Sequence, residues 1–159
     1  MNIQILCVGT LKEKYLREGV AEYAKRLGSY CRLTIREISE EKLPLNASPA
    51  QIRQAMEREG ERLFRELPKE TALVCLCVEG RSMDSVAFAH SLERWAVEGG
   101  GAVTFVIGGS DGLSAELKRR AAARLSFSEM TFPHQLMRLV LVEQIYRGFR
   151  ILKNEPYHK

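Results

Sequence analysis

The sequence predicts an α/β fold, with a mostly parallel sheet and helices on both faces. Short apolar runs alternate with amphipathic ones along the chain, the pattern of strand–helix–strand units. Two of the runs, Thr71 to Val78 and Ala102 to Ile107, are apolar almost throughout, as strands covered on both sides are. The breaks fall at Gly9, Gly28, Pro68 and Gly99-Gly100-Gly101, where glycine or proline punctuates the chain.

Asn2 to Val8 is a short apolar strand that ends at Gly9-Thr10. Lys12 to Leu27 is a helix, with Tyr15, Leu16, Val20, Tyr23, Ala24 and Leu27 on one stripe. Arg32 to Ile38 sets Leu33, Ile35 and Glu37 against Thr34, Arg36 and Ile38, a less regular second strand. Ser39 to Ala47 is polar, carries Pro44 and Asn46, and reads as a loop. Ser48-Pro49-Ala50-Gln51 is a capping box with proline at the first helical position. That helix runs to about Leu67, with Ile52, Met56, Leu63, Phe64 and Leu67 facing in. Asp84-Ser85 starts a helix to about Val97, and Ser114 caps a shorter one to about Arg124. Leu125 to Thr131 is a last strand or extended segment. Pro133 then opens a long helix to about Leu152 that is apolar over more than one stripe.

Ligands of such sheets sit beyond the carboxyl ends of the strands. The rim therefore consists of Leu76 to Gly80, Ile107 to Gly112 and Phe127 to Pro133.

At 159 residues the chain is read as a single domain, 1–159. A net charge of +4 fits a polyanionic partner without requiring one. No run of eighteen apolar residues and no charged-then-apolar leader occurs, so the expectation is a cytoplasmic protein with no membrane span. Cys7, Cys31, Cys75 and Cys77 form no Cys-x-x-Cys and are read as free, mostly buried thiols. His90, His134 and His158 lack metal-ligand spacing, so no metal is expected. His90 reads as a surface or packing residue; His134, just after Pro133, is open between a capping and a binding role.

Phosphate-binding P-loop, dinucleotide and nucleophile-elbow motifs are all absent. What stands instead is Gly108-Gly109-Ser110-Asp111-Gly112-Leu113-Ser114, three glycines in five residues between a buried strand and a capped helix. Backbone so exposed lets a ligand approach amides and carbonyls directly. Phe127 to Phe132 adds apolar rings that suit a flat heteroaromatic ligand such as adenine. A core strand with outward polar residues is the alternative there.

These residues carry a family resemblance. Val106 to Leu113, Leu125 to Arg138, and Glu143 to Arg147 with Asn154-Glu155-Pro156-Tyr157-His158-Lys159 resemble the ribosomal RNA large subunit methyltransferase H family. Val8 to Lys12, Tyr23 and Glu59-Gly60 also match. The resemblance implies the SPOUT class, with a carboxyl-end trefoil knot, a rare exception to unthreaded connectivity. It implies methyl transfer from S-adenosylmethionine to N3 of a pseudouridine in helix 69 of 23S rRNA, on the assembled 70S ribosome, by a homodimer. It places the cofactor at Leu76, Gly108, Phe127, Ser128, Glu129, Met130, Thr131 and Phe132.

Attack by N3 requires loss of an imide proton, which a base or a stabilising cation would assist. His158, the only histidine of the ending, is the first candidate for base or orienter. Arg138, Tyr157 and Lys159 are candidates for holding phosphate or the target base. Gly108→Val is expected to block the cofactor without harming the fold. Removing residues 156–159 is expected to spare stability and cofactor affinity while methyl transfer falls by at least roughly a hundredfold. Two rival readings are an RNA-binding module without chemistry and a small-molecule enzyme whose glycine loop holds a phosphate.

Overall fold

The computed structural model describes residues 1–159. Strands β1 (Asn2–Val8), β2 (Arg32–Ile38), β3 (Ala72–Ser82), β4 (Ala102–Ile107) and β5 (Ala123–Ser126) form one sheet. Its order is β2-β1-β4-β3-β5 and every pairing is parallel. Helices α1 (Lys14–Leu27), α2 (Pro49–Glu66), α3 (Ser85–Glu98), α4 (Ala115–Arg120) and α5 (His134–Leu152) alternate with the strands.

Strand side chains alternate faces, and the sheet therefore separates two cores. On one face Ile3, Ile5, Cys7, Val74, Val103, Phe105 and Ile107 meet α1, α3 and α5. On the other Leu6, Val8, Leu73, Cys75 and Val106 meet α2 and α4. Burial pushes the Cys7 and Cys75 thiols up to about 12, so both stay protonated.

The starts of α2, α3 and α4 follow the sequence. Ser48 and Gln51 close the capping box, Asp84 accepts from the Ala87 amide, and Ser114 accepts from the Leu117 amide. Tyr15 departs from its predicted stripe: it is 67% exposed, while Leu16, Val20 and Leu27 are buried. Ile52 and Met56 of α2 are only half-buried, since α4 is too short to cover them.

Three boundaries differ from the sequence reading. α4 stops at Arg120 rather than Arg124, because the chain turns at Ala121 and the Ala122 amide bonds to the Leu73 carbonyl (2.8 Å). β3 runs past Val78 to Ser82: it bulges after Leu76, and Arg81 pairs again with Leu125. A side chain at Gly80 would lie 2.6 Å from the Leu125 carbonyl carbon, so only glycine permits this crossing. β5 ends at Ser126, and residues 127–133 form a loop rather than a strand. Ser126 Oγ donates to the Ser128 carbonyl and Ser128 Oγ accepts from the Met130 amide, each at 3.0 Å. Side chains here replace the ladder partners that a strand would need.

α5 lies against both α1 and α3. Its second turn is fastened to the edge strand β2 and the end of β1 by Arg138, which is 2% exposed. One Arg138 nitrogen meets Glu37 of β2 at 2.5 Å; another donates to the carbonyls of Gly9 (2.6 Å) and Val8 (3.2 Å). Glu37 also accepts from the Leu11 amide at 2.8 Å. One carboxylate thus binds the β1–α1 loop and α5 together.

Glu37→Gln removes the charge while keeping the shape. The expected cost is about 2 kcal/mol, below the ~3–5 kcal/mol of breaking a fully buried pair, because the Glu37 side chain is 36% exposed. Urea denaturation checks this; an unchanged midpoint would show that the carbonyls alone hold Arg138.

Candidate active site

Beyond the carboxyl ends of β3, β4 and β5 lies a cavity of about 310 Å³. Strand geometry makes it. Leu76 closes the ladder of β3 before its bulge, Ile107 ends β4, and Ser126 ends β5. The chain then leaves each strand, so three stretches of backbone face one space. Leu76, Gly108, Phe127, Ser128, Met130, Thr131 and Phe132 all line it. Glu129 does not; it lies between lining residues with its side chain outside.

The glycine loop is tighter than its sequence implies. Gly112 has φ +87°, and its amide bonds back to the Gly109 carbonyl at 3.1 Å. A Cβ at Gly108 would sit 2.7 Å from the Gly112 backbone. Gly108→Val would therefore distort the loop itself, and the expectation that it leaves the fold intact does not hold.

The cavity walls are Leu76, Ile107, Phe127, Met130, Phe132 and Met137, with Ser110, Asp111, Lys118 and His134 as polar lining. Met130 and Phe132 are 72% and 42% exposed, an apolar pair open to solvent. At the mouth Lys118 forms an ion pair with Glu79, and its hydrogen bond holds the Glu79 carboxyl below its usual range. Burial, and then the charge of Arg138, lowers the His134 pKa, so this imidazole is neutral at pH 7. No side chain in the cavity is arranged as an activated nucleophile. The site can bind a flat apolar group through backbone and align it for reaction.

The three residues expected to do chemistry stand elsewhere. Arg138 is no exposed phosphate ligand: it is buried behind the cavity and committed to Glu37, Val8 and Gly9. Tyr157 packs on its own chain. Its ring meets Tyr146 edge-on at 5.0 Å, Arg147 lies 4.6 Å over it, and its hydroxyl donates to Glu143 at 3.1 Å. Burial, followed by contact with Tyr23 and Glu143, raises its pKa. His158 is exposed, with Nδ1 3.5 Å from Arg147. Arg147 is thirteen residues along α5 from His134, roughly 20 Å of helix. Within one chain, Tyr157 and His158 therefore do not reach the cavity.

The loss-free tail expected for residues 156–159 is corrected on the same grounds. Arg150 donates to the Pro156 carbonyl at 3.1 Å, and Glu155 bonds to both Arg150 and Tyr30. Removing residues 156–159 would expose Tyr146 and take the Pro156 carbonyl from Arg150, which keeps Glu155 and Tyr30.

Sequence reading placed Glu79 on the rim but passed over its partner Lys118, and Met137. Met137 stands one turn after His134, so helical periodicity would have found it. Lys118 and Glu79 are 39 residues apart and carry no local signal. Elsewhere, no helix is long and apolar enough to cross a membrane.

Comparison with known proteins bears on this geometry. A family profile described as "Predicted SPOUT methyltransferase" matches residues 1–158. Proteins named ribosomal RNA large subunit methyltransferase H from Listeria monocytogenes serotype 4a and from Bacillus thuringiensis are each 51% identical over 159 residues. In both cases all of this chain and all of the relative are covered. Among solved structures, a methylase family protein of Haemophilus influenzae Rd KW20 superposes with TM-score 0.54 at 14% identity, over 99% of this chain and 70% of that one. A methyltransferase of Legionella pneumophila, in complex with the cofactor SAM, superposes with TM-score 0.51 at 13% identity, over 93% of this chain and 66% of that one. The two structures share the fold. Profile and full-length relatives together establish that this chain belongs to the SPOUT methyltransferase family.

Proposed function

We propose that the chain, as one domain, transfers a methyl group from S-adenosylmethionine to N3 of a pseudouridine in helix 69 of 23S rRNA. It acts in the cytoplasm, on assembled ribosomes and as a homodimer. The observation that carries this reading is the cavity where β3, β4 and the loop after β5 open onto bare backbone. The residues fit the cofactor. The space above Gly108 that a side chain would need is already taken by the Gly112 backbone, so main chain lines this wall of the cavity. Leu76, Ile107, Phe127 and Phe132 supply apolar walls for an adenine ring. When bound, the cofactor supplies an electrophilic sulfonium methyl; the chain's own part is to hold and align. Neutral His134 places no competing cation beside it. The relatives' printed name supports ribosomal RNA of the large subunit as acceptor. The SPOUT trefoil knot belongs to the same reading, supported by the family match.

The dimer follows from where the tail stands. Leu136, Met137, Leu139 and Val140 of α5 are only half-buried, and Met130 and Phe132 continue this apolar face. Two copies of α5 crossing antiparallel near Val140 would cover it. They would also bring the Arg147 end of one helix, with Tyr157 and His158, beside the His134 end of the other. The partner's tail then completes each site. There Tyr157 and Lys159 hold the RNA, His158 takes or orients the imide proton, and Arg138 acts as a positioning residue behind the cavity wall.

Labelled S-adenosylmethionine should methylate intact ribosomes and leave separate subunits and free rRNA nearly unlabelled. Labelling of none of these would remove the proposed activity. His158→Gln should keep the melting temperature and lower kcat on ribosomes by roughly a hundredfold or more; normal turnover would deny His158 a catalytic role. Met130→Ala combined with Phe132→Ala should weaken S-adenosylmethionine binding by about ten- to a hundredfold, the worth of burying such side chains. Calorimetry reads it, and an unaltered Kd in the folded variant places the cofactor elsewhere.

A further inference from the structure

A second concavity lies beside the cavity and is not used by the reaction described. It is a groove of about 1530 Å³ around the edge strand β5, bounded by α2, α4, the end of β3 and the last turns of α3. Small-molecule pockets are closer to 300–1,000 Å³, and this one is open along its length, so its scale is that of a macromolecular strand. Its charge is distinctive. Six cations line it, against the three carboxylates Glu57, Glu79 and Glu98. The whole chain carries only +4, so most of the net charge sits here.

Two of the cations, Lys118 and Arg94, are neutralised by Glu79 and Glu98. The other four, Arg53, Arg81, Arg119 and Arg124, are exposed and make no ion pair or side-chain hydrogen bond. They come from four separate elements: α2, β3, α4 and β5. Four unpaired guanidiniums around one groove match a chain of phosphates, since each presents a fork of donors that fits phosphate oxygens. The groove is contiguous with the cavity: Glu79, Leu113 and Lys118 line both. No residue of α5 lines it, so the antiparallel α5 pairing leaves it open.

The geometry points to this groove as an RNA-docking surface that grips the phosphate backbone of ribosomal RNA next to the base being methylated. The inference rests on the methyltransferase reading for the identity of the RNA. The unpaired arginines supply affinity and register, and they take no part in cofactor binding or chemistry.

The test is the full-length protein carrying Arg53→Gln, Arg81→Gln, Arg119→Gln and Arg124→Gln together. The double variant Arg119→Gln/Arg124→Gln serves if the fourfold one does not fold. S-adenosylhomocysteine affinity, measured by calorimetry, certifies an intact cavity. Binding to purified 70S ribosomes is read by co-sedimentation between about 50 and 200 mM salt. Methyl incorporation is followed separately at saturating ribosomes.

The fourfold variant should bind ribosomes at least about tenfold more weakly at the low-salt end. The slope of log affinity against log salt should fall by roughly 3 to 4, and by roughly 2 for the double variant, close to one for each phosphate that is no longer neutralised. KM should rise and kcat should stay put. Equal binding and equal slope in wild type and variant would overturn the groove assignment. So would a variant that changes oligomeric state with ribosome binding unaltered, which would make the groove a protein interface. Loss of methylation by the wild-type protein with its salt-dependent binding intact would instead count against the proposed reaction and leave the groove standing.

Discussion

The buried guanidinium of Arg138 is the interaction on which the site depends. It reaches from the second turn of α5 to the carboxyl end of β1 and to Glu37 of β2. Parallel strands leave their carboxyl ends without partners, and the loops that follow must be anchored by something else. Here a charge that would be costly to bury alone is balanced by one carboxylate and two carbonyls. With α5 fixed at Arg138, Pro133 and His134 are fixed too. Residues 127–133 therefore span two set points, the last ladder pair at Ser126 and the start of α5. The other wall comes from Leu76 to Glu79, where β3 bulges away from its ladder.

From this follows a division of labour. The strand ends and the loop after β5 make a cavity with apolar walls and main-chain lining, suited to holding a ligand rather than attacking it. Groups with acid–base or stacking capacity gather at the opposite end of α5, where Tyr157, Tyr146, Arg147 and Glu143 interlock. A single chain holds the cavity and this cluster thirteen residues apart along α5, roughly 20 Å. In the proposed dimer a twofold axis across α5 brings the two together.

Much of this was legible in the sequence for a plain reason. β1, β3 and β4 are covered on both faces, so their composition alone declares them, and caps at Ser48, Asp84 and Ser114 are local chemistry. The rim of the sheet was legible as well, since three strand ends define it, and seven of the eight residues expected there line the cavity. Glu129 was counted by its position in a run, which ignores which way a loop residue points. What failed was non-local. Arg138 finds Glu37 and Gly9 at separations of 101 and 129 residues, and Tyr157 finds Tyr23 at 134. Both looked like free polar groups on a helix and a tail. The α4–β5 boundary was misplaced because Arg119 to Arg124 has no breaker, and a hydrogen bond from Ala122 to Leu73 decides it. Likewise Ile52 and Met56 have helical spacing toward a core that the short α4 does not provide.

The central claim is that the ends of β3 and β4 and the loop after β5 form the cofactor cradle. Amide hydrogen exchange with and without S-adenosylhomocysteine addresses it directly. The account predicts slowed exchange at 108–113 and 127–133, with little change in α2 or in β2. Protection confined to other segments, in a sample shown by calorimetry to be saturated, would contradict it.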